Sequence, residues 1–333
     1  MFDFASFLPR AVMQGIPLLY GSTGEILTEK SGNLNLGIPG VMYVGGICGV
    51  IGAFAYEQSA GSAEAMNGFL AIMIPLLCSL LGSLLMGLLY CFLTVALRAN
   101  QNVTGLALTT FGMGVANFGG VFLLNGASYT AAPLAFSAYS TKIIPGWDKT
   151  GVFGEMFLSY GFLVYAAILL AVAMHFFLNK TRVGLNLRAV GESPATADAA
   201  GIHVTKYKYL ATCIGAGISG IGGLYYVLDY NRGIWATTGQ IEALGWLAVA
   251  LVIFTTWRPL NGIWGAYLFG MLYWLYQYLP NLLGITISNY AIDLVQMIPY
   301  VVTIVVLVIT SMRNKRENQP PESLGQPYFR EER

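Results

Sequence analysis

The chain has 333 residues, of which 56% are hydrophobic and only 10% are charged, whereas a soluble domain carries about 25% charged residues. This composition excludes water as the main solvent and predicts an all-α fold, a polytopic bundle of transmembrane helices. The formal net charge of +1 says nothing about partners, because the charges cluster between the apolar runs and almost never enter them.

Nine apolar segments predict helices that cross a membrane. A helix needs roughly 20 apolar residues to span a hydrocarbon layer of about 30 Å. The segments are residues 11–27, 41–56, 69–97, 104–124, 157–178, 209–228, 243–257, 263–279 and 292–312. The third segment contains Pro75 and fits either one tilted helix or two broken pieces. We therefore predict one transmembrane domain, residues 1–312, with about nine spans and eight to ten allowed.

The basic residues predict the orientation of these spans. With nine spans and the C-terminus in the cytoplasm, thirteen Lys and Arg residues lie inside and four lie outside, namely Arg10, Lys142, Lys149 and Arg232. Cytoplasmic loops carry such an excess of basic residues, so the N-terminus is expected outside. Residues 313–333 are rich in charge and Pro, which predicts a disordered cytoplasmic tail.

Uncharged polar residues beside or inside the apolar segments are candidates for a substrate pathway. Residues 31–40 are too rich in Gly, Asn and Pro for a lipid-facing helix, and such backbone survives at membrane depth only inside protein or along a cavity. The fourth segment carries Thr and Asn side chains that suit a neutral polar solute. The candidates are Asn33, Asn35, Asn102, Thr104, Thr109 and Asn117. The alternatives are a plain cytoplasmic loop at 31–40 and helix packing in the fourth segment.

The outer connection at residues 126–156 holds Tyr129, Tyr139, Pro145 and Trp147. Aromatic residues near a membrane boundary are typical of interfacial anchors. A surface for an extracytoplasmic partner is the alternative.

The inner loop at residues 178–208 predicts a short helix. Ser193 followed by Pro194 is typical of an N-cap with a first-turn proline, and Gly201 fits a left-handed stop. A helix this short is not stable alone in water, so it must dock against something. Two interpretations remain: the helix docks on an ATPase, or the segment is an ordinary loop at the membrane interface. The docking residues are Glu192, Ser193, Pro194, Ala195, Thr196, Ala197, Asp198, Ala199, Ala200 and Gly201.

The sixth segment is dense in Gly and Ser between residues 215 and 223, which predicts close helix packing. Tyr225 and Tyr226 follow at the expected outer mouth. Two roles fit these residues. They could anchor the helix at the membrane interface, or they could belong to the substrate pathway and stack on a nucleobase.

Several signatures of other functions are absent from the sequence. No GxxxxGK[ST] loop is present, so ATP hydrolysis by the usual route is not expected in this chain. Neither His nor Cys residues have metal-ligand spacing. An ion-coupled secondary transporter, the main rival class, would need a carboxylate at membrane depth, but Glu25, Glu29, Glu242 and Asp293 lie near span ends. The sequence contains no nucleophile paired with a base, so nothing in it indicates an enzyme.

Several motifs resemble the permease family of branched-chain amino acid, ribose and nucleoside ABC importers. They are GEILTEKSGNLNLG at 24–37, RANQNVTGLA at 98–107, LRAVGESP at 187–194, ADAAGI at 197–202, GWLAVALVIF at 245–254 and QMIPY at 296–300. The first two resemble the nucleoside branch in particular. Where the family has an acidic residue in a Gly-Ile-Glu-Gly pattern, this chain has Pro39. This difference affects the substrate prediction and leaves the fold prediction unchanged.

The resemblance implies a function and partners. It implies the membrane permease of a bacterial importer in the cytoplasmic membrane, which moves nucleosides by alternating access, with sugars or branched-chain amino acids as alternatives. The loop at 192–201 would be the coupling helix. The partners would be ATPase subunits that bind ATP and Mg, a second related permease, an extracytoplasmic binding lipoprotein and membrane lipid, with no nucleic acid. The chain itself would hold no cofactor or metal and would not be an enzyme.

Overall fold

The computed structural model describes residues 4–61, 65–123, 128–130, 133–144, 151–236, 239–283, 294, 297–313 and 319–330. The first helices are α1 Phe4–Glu29, α2 Ile38–Ala60, α3 Gly68–Cys91, α4 Gln101–Leu123, α5 Pro133–Ser140 and α6 Val152–Phe157. They are followed by α7 Phe162–Lys180, α8 Arg182–Glu192, α9 Pro194–Ala199, α10 Val204–Tyr225, α11 Gln240–Phe254, α12 Pro259–Leu283 and α13 Ile298–Arg313. The fold is therefore helical, as predicted.

One pair of short strands departs from an all-α fold. Strand β1, Ser128–Thr130, pairs antiparallel with β2, Ile234–Ala236, and Tyr129 lies opposite Trp235. The two strands belong to connections far apart in sequence, so no local pattern indicated that they would pair.

A helix lies at each of the nine places where the sequence predicted a span. Within the described residues, four helical segments are long and apolar enough to cross a membrane: Ile38–Ala60, Gly68–Ala96, Phe162–Lys180 and Val204–Tyr230. Pro75 lies inside α3 without breaking it, and a π-helical turn, Phe92–Ala96, continues that helix. The third predicted span is therefore one helix, while the total of nine spans stays a prediction.

The centre of the bundle is formed by α1, α2, α3 and α10, which approach one another at glycines. A Cβ atom on Gly45 would lie 2.5 Å from the Cα of Gly220, and one on Gly223 would lie 1.9 Å from the carbonyl oxygen of Met42. Only a residue without a side chain permits such backbone contact. The predicted close packing of the sixth span is confirmed.

Apolar side chains cover much of the outer surface of the bundle. Large exposed examples on α3 are Leu77, Leu81 and Leu85, and on α4 they are Phe111 and Phe118. A soluble protein rarely exposes so continuous an apolar surface, whereas lipid or a membrane partner covers it without cost.

Tyr139, predicted as an interfacial aromatic, is instead fully buried, and its hydroxyl donates to the carbonyl oxygen of Ile72 at 2.6 Å. It therefore ties α5 to α3 from inside the molecule. Pro145 and Trp147 lie outside the described residues.

Residues 319–330, which we call the C-terminal strap, differ from the disordered tail that composition predicted. Pro321 and Ser323 are buried, and Leu324 packs against the main core. Contacts with residues more than a hundred positions earlier order this charged segment, and a composition argument does not register such contacts.

Candidate functional site

The loop predicted to dock an ATPase forms two helices, α8 and α9, joined at Ser193. The Oγ atom of Ser193 accepts from the amide of Thr196 at 3.3 Å, Pro194 occupies the first turn, and Gly201 has a φ of +83°. An N-cap, a proline start and a left-handed glycine end are thus all present. The local structure predicted from the sequence is confirmed.

The short helix α9 presents small side chains to solvent. Ala197 is buried against Val190 and Val204 and fixes the inner face of the helix. The outer face is exposed and consists of Ala195, Thr196, Ala199, Ala200 and Gly201, and Glu192 is exposed at the end of α8. A partner could therefore approach the backbone of α9 closely, because no large side chain stands in the way.

The C-terminal strap holds the α8–α9 junction from the side. The amide and the hydroxyl of Ser323 both donate to the carbonyl oxygen of Gly191, at 3.1 Å and 2.6 Å. The Tyr328 hydroxyl donates to Asp198 Oδ2 at 2.9 Å, and Arg330 Nε lies 3.1 Å from the same oxygen. Asp198, predicted as a docking residue, therefore faces the strap within this chain. No local sequence pattern indicates this pairing.

The polar stretch after α1 is buried in protein and does not line an open passage in this structure. Asn33 and Asn35 are both completely buried. The Asn33 amide donates to Thr212 Oγ1 at 3.0 Å, and Asn35 Oδ1 accepts from the amide of Gly37 at 2.9 Å. Each Asn side chain thus makes one hydrogen bond to protein, while Asn33 Oδ1 and Asn35 Nδ2 are buried without a hydrogen-bond partner among the described residues. Whether the stretch belongs to a substrate pathway or is a plain cytoplasmic loop stays a prediction.

Two carboxyl groups lie near the end of α1, and one of them bonds to that buried stretch. Glu25 Oε1 accepts from the amide of Asn35 at 3.0 Å, and Glu29 Oε2 accepts from Trp257 Nε1. Both Glu side chains are buried, although the sequence only located them near a span end. Their spacing of four residues, which puts them on one face of a helix, was the available signal. Next to them, burial and the nearby Arg188 lower the pKa of Lys30 to about 8.

The pathway candidates of α4 divide into two groups. Thr104 and Thr109 are buried, and the Thr109 hydroxyl donates to the carbonyl oxygen of Leu36 at 3.0 Å. Asn102 and Asn117 are exposed on the surface of the same helix. Thr109 thus bonds to the stretch after α1, whereas the exposed pair lies on the surface of α4 that lipid or a partner subunit would cover.

A cavity of about 640 Å³ opens at the end of α10 opposite to α9. Its lining includes Asp229, Tyr230, Tyr160, Trp274, Arg10 and Arg232. Asp229 Oδ2 and the Tyr225 hydroxyl are buried without a hydrogen-bond partner among the described residues. The cavity thus combines aromatic rings with unused polar atoms.

The two tyrosines expected to form either an interfacial anchor or rings that stack on a nucleobase are both buried. Tyr225 has no exposed surface, although it belongs to the lining of the cavity. Tyr226 is buried nearby, where its hydroxyl donates to Gln240 and its ring stacks on Tyr230 at 5.3 Å. Tyr230 and Trp274, which the sequence did not single out, are the partly exposed rings at this position.

Comparisons with known proteins extend over most of the chain. The family model described as "Branched-chain amino acid transport system / permease component" matches residues 8–307. The chain is 34% identical to the putative glucose ABC transporter permease protein TsgC13 of Haloferax volcanii, covering 81% of this chain and 77% of the relative.

Two bacterial relatives are also similar along nearly their full length. The guanosine ABC transporter permease protein NupQ of Bacillus subtilis is 29% identical, covering 98% of this chain and 97% of the relative. The nucleoside ABC transporter permease protein NupC of Lactococcus lactis is 30% identical and covers 88% of each chain. No solved structure matches the chain significantly.

Proposed function

This chain belongs to the family of permease components of branched-chain amino acid transport systems, and we propose that the solutes it carries are nucleosides. Membership makes it the multi-pass membrane permease of an ABC importer, which is not itself catalytic and works with an ATPase and a binding protein. Relatives named for guanosine and for nucleosides, aligned over 98% and 88% of this chain, support nucleosides as substrates.

The outer cavity is the observation that carries the substrate proposal. Its volume of about 640 Å³ lies in the range of roughly 300–1,000 Å³ typical of small-molecule sites. Asp229 can accept hydrogen bonds from vicinal ribose hydroxyls, and the rings of Tyr230 and Trp274 can stack on a base. The neutral polar side chains Asn102 and Asn117 on α4 would continue the pathway against the second permease, whereas the buried Asn33, Asn35, Thr104, Thr109, Tyr225 and Tyr226 would support its walls.

Energy would enter at the opposite end of the molecule. We propose that the exposed residues among 192–201 contact the ATPase, that Ala197 and Asp198 hold this segment from within the chain, and that the C-terminus is cytoplasmic. Closure of the ATPase would then push α9, and the rigid connection through α8 and α10 would move the bundle between its inward-open and outward-open states.

Uptake measurements test the substrate. Cells with and without the gene are given radiolabelled guanosine, uridine, glucose, ribose and leucine in separate experiments. We expect that cells without the gene lose nucleoside uptake alone.

In the complemented strain, Asp229→Asn should lower the nucleoside transport rate about tenfold, because the substrate loses one hydrogen bond to a charged group. Glu57→Gln changes the same charge at the same end of the bundle but outside the cavity, and should transport normally.

Sugar is the second candidate, because the relative with 34% identity is named for glucose. A carboxylate and aromatic rings also suit the hydroxyls and apolar face of a hexose. If the gene deletion abolishes glucose or ribose uptake and leaves nucleoside uptake intact, the nucleoside proposal is wrong and the sugar proposal replaces it.

A further inference from the structure

A second cavity, of about 240 Å³, lies at the α9 end of the bundle. The π-helical turn after α3, helix α9, the first turns of α10 and the C-terminal strap enclose it. Polar and charged side chains dominate its lining, which includes Thr94, Arg98, Asp198, Lys208, Tyr328 and Arg330. Nothing in the proposed transport path uses this cavity.

Lys208 is the unusual member of this lining. Only 3% of its surface is exposed, and within the described part of the chain its ammonium group has neither a hydrogen bond nor an ion pair. A buried charge without a partner is strongly unfavourable, so such groups are normally paired or bind a ligand. The side chain therefore points to an anion that the cavity takes up.

The other charges around the cavity agree with an anionic ligand. Arg98 stacks its guanidinium on the ring of Phe329 at 4.6 Å, and Arg330 reaches Asp198 at 3.1 Å. Arg98, Lys208 and Arg330 together with the single carboxylate of Asp198 leave an excess of two positive charges. Two guanidinium groups beside an ammonium are the donors that proteins use for phosphate, because arginine offers parallel N–H groups and lysine a compact charge.

We propose that this cavity binds one phosphate-bearing anion, held by Lys208, Arg98 and Arg330. Its volume lies below the range of about 300–1,000 Å³ for drug-sized ligands, which suits a phosphate group with a small substituent. Because α10 starts here and continues into the membrane, the phosphate can come from a lipid headgroup or from a soluble phosphate compound. Either source would connect α9, α10 and the strap through one ligand.

The test uses the complete transporter purified with its ATPase and partner permease. Binding of radiolabelled inorganic phosphate is measured by equilibrium dialysis. In parallel, the complex is reconstituted in nanodiscs of phosphatidylcholine with or without phosphatidylglycerol, and the retained lipid is counted by native mass spectrometry. We expect saturable binding of phosphate, retention of phosphatidylglycerol, or both. Phosphate binding without anionic lipid identifies a soluble ligand, and retention of phosphatidylglycerol alone identifies a headgroup.

Variants assign that binding to the cavity. Lys208→Gln should weaken it at least about tenfold, as expected for the loss of one charge-assisted hydrogen bond, whereas Lys208→Arg should retain it. Lys206→Gln is the matched control, since it removes the same charge two residues earlier on α10 from an exposed side chain outside the cavity. If Lys208→Gln does not fold, Arg330→Gln, whose side chain is 74% exposed, should show the loss. The proposal is overturned if the wild type binds neither probe, or if the cavity variant binds as well as Lys206→Gln.

Discussion

The buried carboxyl group of Glu25 is the residue on which the stretch after α1 depends. The side chain has no exposed surface, and its Oε1 atom accepts the amide of Asn35, whose own side chain then accepts the amide of Gly37. Two of the backbone amides that lead into α2 are thus satisfied by one chain of hydrogen bonds. Because buried amides without acceptors are costly, Glu25 fixes how α2 starts.

Removing the acceptor should destabilise the permease. We expect Glu25→Ala to lower the free energy of unfolding by about 1–3 kcal/mol, the cost of leaving a buried donor unsatisfied. Glu25→Gln keeps a side-chain oxygen at the same distance and should lose much less. The apparent Tm of both variants in detergent measures the difference. Equal Tm values for the Ala and Gln variants would show that the hydrogen bond does not matter.

At the scale of the element, α9 could be predicted from sequence but its surroundings could not. Ser193, Pro194 and Gly201 act within the helix or beside it, so their chemistry fixes where the helix begins and ends. The hydrogen bond from Ser323 to Gly191 joins residues 132 positions apart, and no local pattern indicates it. The same holds for Tyr225 and Tyr226, whose aromatic character was evident but whose burial depends on α1 and α2 packing around them.

A charge on the exposed face of α9 should separate the permease from its ATPase. Ala199→Arg adds a long charged side chain to a surface of small residues, where it must clash with a docked partner or be buried without a counterion. We expect normal membrane insertion and binding of the partner permease, but loss of ATPase binding and of substrate-stimulated ATP hydrolysis. Co-purification and ATPase assays measure these outcomes.

Two control variants accompany Ala199→Arg. Ala199→Ser keeps the side chain small, and Thr141→Arg adds the same charge on the exposed surface beyond α5. Both should retain the ATPase. Wild-type transport with the ATPase fully bound to Ala199→Arg would mean that the α8–α9 region is an ordinary interfacial connection.

Two glycines of α10 offer a matched test of helix packing. At Gly223 an added Cβ atom would lie 1.9 Å from the carbonyl oxygen of Met42, whereas at Gly217 its nearest neighbour would be Leu80 Cδ2 at 3.5 Å. Gly223→Ala should therefore destabilise the protein by about 1–3 kcal/mol. Gly217→Ala should be neutral or gain up to about 1 kcal/mol from helix propensity. Thermal unfolding in detergent compares them, and equal effects would contradict the close approach of α2 and α10.

At the scale of the whole molecule, composition and the lengths of the apolar segments predicted the membrane class and the position of each long helix. These properties follow from the apolar segments alone, because the lipid imposes the same length on each span. The arrangement of the helices depends on pairs of distant residues, such as Gly45 with Gly220, and is therefore visible only in the structure. The orientation in the membrane depends on loop charge and stays a prediction.

Cysteine labelling tests that orientation. After the four native cysteines are replaced, Ser137→Cys on α5 and Ala195→Cys on α9 place one thiol on an exposed position at each end of the bundle. In intact cells an impermeant maleimide should label position 137, and it should label position 195 only after the membrane is opened. The reverse pattern would invert the topology and would place α9 on the wrong side for an ATPase.

The C-terminal strap also affects the order in which the protein is completed during synthesis. Translation proceeds from the N-terminus, so residues 319–330 leave the ribosome after every helix that they contact. Until then the carbonyl oxygen of Gly191 lacks the two donors of Ser323, and Asp198 lacks Tyr328 and Arg330. Helix α9 can therefore take its strapped position only after the helices that the strap contacts have been synthesised.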